Sequence, residues 1–217
     1  MISTELEPYS QKKLLKYDLS FTSIIDLYNK KKLPNKILFS GPKGIGKSTF
    51  AYHLINYIFS KNEQNKYDIK NFKILDQNRS FKLILNKSHP NFHLIDIIDD
   101  KKVIEISQVR EMIEYTNKSS FNNNERIVLI DNAENLNENS SNALLKVIEE
   151  PNHNVYFIII FDSSKKILQT LKSRCIKFNF SLTFKDSVEI TNKIINKNIF
   201  NLINEDLINY YNTPGDF

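Results

Sequence analysis

The sequence predicts an α/β fold: a parallel sheet flanked by helices, followed by a small helical lid. Three observations carry that prediction. Short apolar runs alternate with stretches of helical periodicity along most of the chain. Two of the runs, within 126–131 and 155–161, are continuously apolar, as strands covered on both faces must be. A glycine-rich loop, GPKGIGKST, joins an apolar strand to a helical segment.

The elements follow in order. Residues 37–40 form a short apolar strand that runs into the glycine-rich loop. Residues 48–59 follow with Phe50, Leu54, Ile55 and Ile58 at helical spacing. The stretch 60–88 is polar and irregular and reads as an insertion on the surface. Residues 92–98 read as a strand. Ser107 is the expected N-cap of a helix through Thr116, with Val109, Met112 and Ile113 on one face. The run 122–124 is a polar turn, and 126–131 is a central strand. Asn137 or Asn139 caps the next helix, and Pro151 lies beyond its end. Residues 155–161 form a second central strand. From Ser181 onward the pattern is helical and polar, with Ile190, Ile194 and Ile195 at helical spacing, which suits a lid. No internal repeat is present.

Composition bounds the function. The chain has 217 residues, 41% of them hydrophobic, enough for one well-buried core and part of a second unit. Its one cysteine, Cys175, excludes an internal disulfide, and a reducing cytoplasm is the simple reading. The opening MISTELEPYSQKK lacks the apolar core of a signal peptide. No apolar run approaches the roughly 20 residues of a membrane span, so no membrane partner is expected. Net charge is +5 with a pI near 9.0. That suits a nucleic-acid partner, and equally a chain rich in Lys, Asn and Ile.

The loop Gly41, Pro42, Lys43, Gly44, Ile45, Gly46, Lys47, Ser48, Thr49 fits the phosphate-binding pattern G-x-x-x-x-G-K-[ST] in its strand–helix setting. Its glycines let backbone approach phosphates closely, and amides there and at the helix N-terminus point at the anion. Lys47 is expected at the β- and γ-phosphates, and Ser48 on magnesium. Asp131, closing a strand near the loop, is the expected second magnesium contact. ATP or ADP with Mg2+ is therefore the expected cofactor. Residue 132, next in the chain, is Asn, which can orient a water but cannot accept its proton. Glu134 reads as a solvated loop acid, since its use as a substitute would require an altered turn. His53, His89, His93 and His153 show no ligand spacing, so no zinc site or other histidine metal site is expected.

The run NALLKVIEEP, Asn142 to Pro151, followed by Ser173–Arg174–Cys175, resembles the clamp-loader branch of the AAA+ ATPases, and within it the delta-prime type of DNA polymerase III subunit. HPNFHLI from His89 and ISQVREMIE from Ile106 resemble further segments of that type. The match is good over about 33–180 and loose at both ends. The resemblance implies an AAA+ nucleotide-binding domain over 1–178 and a helical lid over 179–217. It also implies that Arg174 is an arginine finger offered in trans to a neighbour's γ-phosphate, where it would stabilise charge developing in phosphoryl transfer. The bland reading of Arg174 is a local ion pair. Cys175 is expected only to pack. For His89 the expectation is a capped turn, and for Arg110 either a surface ion pair or a place near nucleotide or DNA.

Departures from the branch are informative. Its motor subunits carry a Glu after the strand-end Asp, where this chain has Asn132, and many relatives carry a four-cysteine zinc module that is absent here. A first polar sensor falls around Asp162 and Ser163 without a clear choice between them. A second sensor arginine is expected near Thr213–Pro214–Gly215, and no Arg is there. The resemblance thus implies a subunit that binds nucleotide and hydrolyses it weakly or not at all alone. It would belong to a DNA-directed DNA polymerase holoenzyme without having a polymerase site. Implied partners are tau/gamma-type and delta-type loader subunits, and through the complex the sliding clamp and primer-template DNA. Relatives usually continue into a helical collar, so the expectation is either a fragment or a chain whose ring rests on the ATPase faces. The alternatives are an ATP-hydrolysing tau/gamma-type motor subunit and an AAA+ remodeller such as a helicase loader.

Overall fold

A computed structural model describes residues 6–98, 101–118, 124–152, 154–204, 208 and 211–217. The described chain runs α1 (Asp18–Asn29), β1 (Lys36–Gly41), α2 (Lys47–Phe59), α3 (Arg79–Leu85), β2 (Phe92–Ile95), α4 (Ile106–Asn117), β3 (Arg126–Ile130), α5 (Glu138–Glu149), β4 (Val155–Asp162), α6 (Gln169–Arg174), β5 (Ile176–Asn179) and α7 (Phe184–Ile195). The strands form one parallel sheet in the order β2-β3-β4-β1-β5. Parallel neighbours need crossovers, and the helices supply them on both faces.

The continuous apolar strands divide by parity. In β3, Ile127 and Leu129 pack with α1, α2 and α3, while Val128 and Ile130 pack with α4 and α5. In β4, Ile158 and Ile160 take the first side, and Phe157, Ile159 and Phe161 the second. Burying each such side chain fully is worth about 1.5–3 kcal/mol. On the first side Tyr17, Phe39, Phe50 and Phe180 meet edge-to-face, with centroids 5.0–6.0 Å apart.

Several expectations are corrected. The stretch 60–88 is not a surface insertion. Tyr67, Ile74, Phe81 and Ile84 are buried in the core. Its polar residues satisfy backbone and one another: Asn78 caps α3, Asn56 donates to Asn78 at 2.9 Å, and Glu63 accepts the amides of Arg79 and Ser80 at 3.0 Å. The strand expected over 92–98 ends at Ile95, where Asp96 turns its carboxylate back onto the amide of Ile97. The residue before α4 is Glu105, not Ser107, and it makes no side-chain cap. The turn at 122–124 and His153 lie outside the described residues except for Asn124. Asn137, not Asn139, caps α5, accepting from the Ser140 amide at 2.8 Å. Four of the helices and strands had no sequence expectation: α1, α3, α6 and the short edge strand β5. The N-terminal arm holds α7 through Lys16, which reaches Glu189 at 2.5 Å and Asp186 at 3.1 Å.

Candidate functional site

The carboxyl ends of β1, β3 and β4 converge on one cavity of about 1220 Å³. Gly44 and Gly46 hold φ values of 75° and 92°, a left-handed conformation strained for any side chain. Gly46 then opens α2, whose first-turn amides have no intrahelical acceptor. Ile45 is buried, and its carbonyl accepts the Tyr17 hydroxyl at 2.8 Å, which pins the loop from beneath. Lys47 is buried and donates to the carbonyls of Gly41 at 2.8 Å and Pro42 at 2.6 Å. Burial lowers its pKa, opposed by the nearby charges of Asp131, Asp162 and Glu134. Lys43, Ser48 and Thr49 also line the cavity.

Ser48 and Asp131 line the same cavity, so the two expected magnesium residues are together. Part of Asp131 is exposed, but its carboxyl is enclosed. That enclosure pushes its pKa up to about 6, against the nearby Ser48 hydroxyl, with Asp96 adding a further push. A buried carboxylate beside a hydroxyl, both acceptors of a hard cation, fits magnesium. Asn132 is left-handed at φ 52°, ψ 43°. Its amide nitrogen donates not into open space but to Asp96 at 2.7 Å. Glu134 is not a free loop acid: its Oε2 accepts the Asp162 amide at 3.0 Å. Asp162 in turn accepts Ser164 N–H and Oγ–H at 2.9 and 2.8 Å.

A family model described as DNA polymerase III, delta subunit, matches residues 19–183. The chain belongs to the delta′ family of DNA polymerase III subunits. It is 39% identical over 106 residues to DNA polymerase III subunit delta′ of Haemophilus influenzae, covering 49% of this chain and 32% of that protein. It is 29% identical over 192 residues to the delta′ subunit of Buchnera aphidicola subsp. Schizaphis graminum, covering 86% of this chain and 56% of the relative. The chain thus spans from a third to just over half the length of these two relatives. The fold is like that of a DNA polymerase III gamma subunit-related protein from Thermotoga maritima, with a TM-score of 0.55 at 16% identity over 78% of this chain and 49% of that one. That likeness is one of fold, and it bears out the expected parallel sheet flanked by helices.

In this delta′ family member Arg174 stands apart from its own cavity, at the last residue of α6. It pairs with Glu149 at the end of α5 and donates to the Thr170 carbonyl at 3.0 Å. Cys175 is buried in the second core, where burial raises its thiol to about 11. Thr213 and Gly215 lie against the phosphate-loop pattern: the Gly215 amide donates to the Gly44 carbonyl at 3.1 Å. His89 stacks on Phe59 at 4.1 Å and receives the Asn91 amide, as a turn residue does. Arg110 is exposed. Among the described residues no group of three or more His, Cys, Asp or Glu could hold a metal, and no helix is long and apolar enough to cross a membrane. Sequence reasoning missed Tyr17, Asp96 and the bonding of Glu134. Asp96 had a signal, since it closes a strand next to β3 as Asp131 does.

Proposed function

We propose that this chain is the nucleotide-binding part of a delta′-type clamp-loader subunit. It binds ATP or ADP with magnesium, hydrolyses it slowly, and offers Arg174 to the nucleotide of a neighbouring motor subunit. The observation that carries this reading is the division of labour in space. Lys47, Ser48 and Asp131 line one cavity, while Arg174 lies outside it at the end of α6.

The loop amides and the start of α2 would receive phosphate oxygens, with Lys47 exchanging its two backbone carbonyls for them. Ser48 and Asp131 would hold magnesium, which when bound neutralises charge on the phosphates. Asn132 supports slow turnover, because its side chain is engaged by Asp96 and has no basic group. The Arg174–Glu149 pair is surface-exposed and weak enough, at roughly 0–1 kcal/mol, to be exchanged for a stronger anion.

Partners proposed on family grounds are tau/gamma-type and delta-type subunits, acting together to load a sliding clamp on primer-template DNA. The test uses the full-length subunit in a reconstituted loader. Arg174→Ala should leave this subunit's own nucleotide affinity unchanged, slow the ring's ATP hydrolysis in part, and strongly impair clamp loading. A mutant ring that hydrolyses and loads at the wild-type rate would make Arg174 a structural residue. Failure of tagged protein to retain clamp-loader subunits would remove the assignment altogether.

A further inference from the structure

We infer that the turn 213–216 is a latch on the phosphate loop, and that nucleotide enters and leaves only when this latch opens. This inference rests on the nucleotide site proposed above and adds how exchange at it is controlled. The chain has four glycines, against roughly 15 at average usage. Three of them are in the loop, and the fourth, Gly215, packs on the second. The phosphate-binding pattern leaves position 44 open to other residues, so the pattern alone does not require a glycine there.

The contact itself excludes side chains from both positions. A Cβ on Gly44 would stand 2.5 Å from the Thr213 Oγ1 and 2.9 Å from the Gly215 Cα. A Cβ on Gly215 would stand 2.6 Å from the Gly44 Cα, well inside van der Waals contact. The backbone of Gly215 is not left-handed, so it is the approach of Gly44 that keeps a side chain out. With the two backbones this close, the Gly215 amide donates to the Gly44 carbonyl at 3.1 Å. The turn brings its own rigidity. Asp216 Oδ2 accepts the Thr213 amide at 2.7 Å and the Thr213 hydroxyl at 2.9 Å, and the Thr213 carbonyl accepts the Asp216 amide at 3.0 Å. Thr213 is buried, and Pro214 and Gly215 form part of the cavity wall beside the loop.

A polyphosphate wrapped by loop amides is released when an element packed on the loop gives way. On its other flank the loop is fixed. The Tyr17 hydroxyl bonds the Ile45 carbonyl, and the Tyr17 ring packs edge-on against Phe180 and Phe50, with centroids at 5.2 and 6.0 Å. Parting that contact would disturb the aromatic core. The latch has no such anchor. Among the described residues one hydrogen bond ties the turn to the loop, and none of residues 213–216 belongs to either hydrophobic core. Local opening begins where the fewest apolar contacts hold an element down. A contact made both before and after nucleotide enters, and lost only in between, sets the rates of exchange and not the affinity.

Gly215→Ala tests the latch, because one methyl group against the Gly44 backbone forces the turn off the loop and changes none of the residues expected at phosphate or magnesium. Stopped-flow mixing of the whole chain with a fluorescent ADP analogue in magnesium gives the association rate. A chase with unlabelled ADP gives the dissociation rate, and the ratio of the two gives the affinity. In Gly215→Ala both rates should rise at least about fivefold, the scale of one lost backbone hydrogen bond, while the dissociation constant stays within about threefold of wild type. Asp216→Ala, which removes the acceptor of both Thr213 donors and adds nothing against Gly44, should move both rates the same way. Unchanged rates in Gly215→Ala, beside a wild type that binds, overturn the latch and leave the nucleotide site standing. So does faster dissociation with unchanged association and weaker affinity, which would make the turn a wall of the binding site. A wild type that binds no nucleotide removes the proposed function, and the latch with it.

Discussion

Replacing Asn132 with glutamate would restore the acid that motor members of the branch carry at that place, so a gain in hydrolysis is the naive outcome. The geometry argues for the opposite. The Asn132 amide nitrogen lies 2.7 Å from an Asp96 oxygen, so a carboxylate there faces a carboxylate. Two unit charges about 4 Å apart repel by about 4 kcal/mol at the effective dielectric of a protein surface. Glutamate's extra methylene lets it swing partly into water and lose roughly half of that. The lost hydrogen bond to a charged acceptor is worth about 1.5–3 kcal/mol. The left-handed backbone, which Asn tolerates, adds about 1 kcal/mol for other side chains. These terms overlap, and a net loss of about 3 kcal/mol is expected. At about 2–4 °C per kcal/mol for a chain of this size, the melting temperature falls by about 6–12 °C. Thermal unfolding followed by circular dichroism, with single-turnover ATP cleavage alongside, makes the comparison. The double variant Asp96→Asn with Asn132→Asp keeps one acid and one amide and should recover most of the stability. An Asn132→Glu protein as stable as wild type, or faster at cleavage, would refute this reasoning.

Two other outcomes are expected. Magnesium–nucleotide affinity should rise with pH, because the ligand needs ionised Asp131, whose pKa burial lifts to about 6. Only about a tenth of it is ionised at pH 5, so affinity should be about tenfold weaker there than at pH 7 by isothermal titration, and a flat profile would contradict the placement. The sign for folding without ligand is the reverse: a raised carboxylate pKa takes stability away as pH climbs from about 4 to 6. The His53 ring, lowered to about 4 by burial, adds stability as pH rises over about 4 to 6.5 and offsets that loss. Arg126→Ala should destabilise the chain by about 2–4 kcal/mol, because the buried guanidinium serves the carbonyls of Tyr115, Thr116 and Lys118 at the end of α4 and alanine leaves them without that donor. Chemical denaturation measures it, and a loss under 1 kcal/mol would show those carbonyls satisfied by water instead.

The central sheet was legible because its strands are apolar without interruption and its loop carries glycines where φ is positive. Asn137 as a cap and Pro151 as a stop were legible from the local chemistry of helix ends. The parts that escaped depend on long-range partners. The stretch 60–88 looks like solvent-facing chain because its Asn, Glu and Ser residues are polar, yet they bond backbone inside the molecule. The edge strand β5 is exposed at Ile176, Lys177 and Asn179 and has no apolar run to announce it. That the glycine-rich loop, Ser48 and Asp131 come together at one cavity was readable from spacing. The bonds of Asp96 and Glu134 were not, because both depend on the left-handed turn at Asn132, which Asn permits but does not dictate.

An equilibrium titration of the chain with labelled ADP in magnesium, wild type against Lys47→Ala, bears most directly on the proposed site. Lys47 is buried and bonded to the Gly41 and Pro42 carbonyls, so alanine removes the loop cation expected at the phosphates while leaving the glycine backbone in place. Wild-type protein should bind saturably, and the variant should lose at least about 2 kcal/mol, roughly 30-fold, the scale of a charge-assisted bond. Equal affinity in the two proteins, or no saturable binding by wild type, would contradict a nucleotide site at this loop.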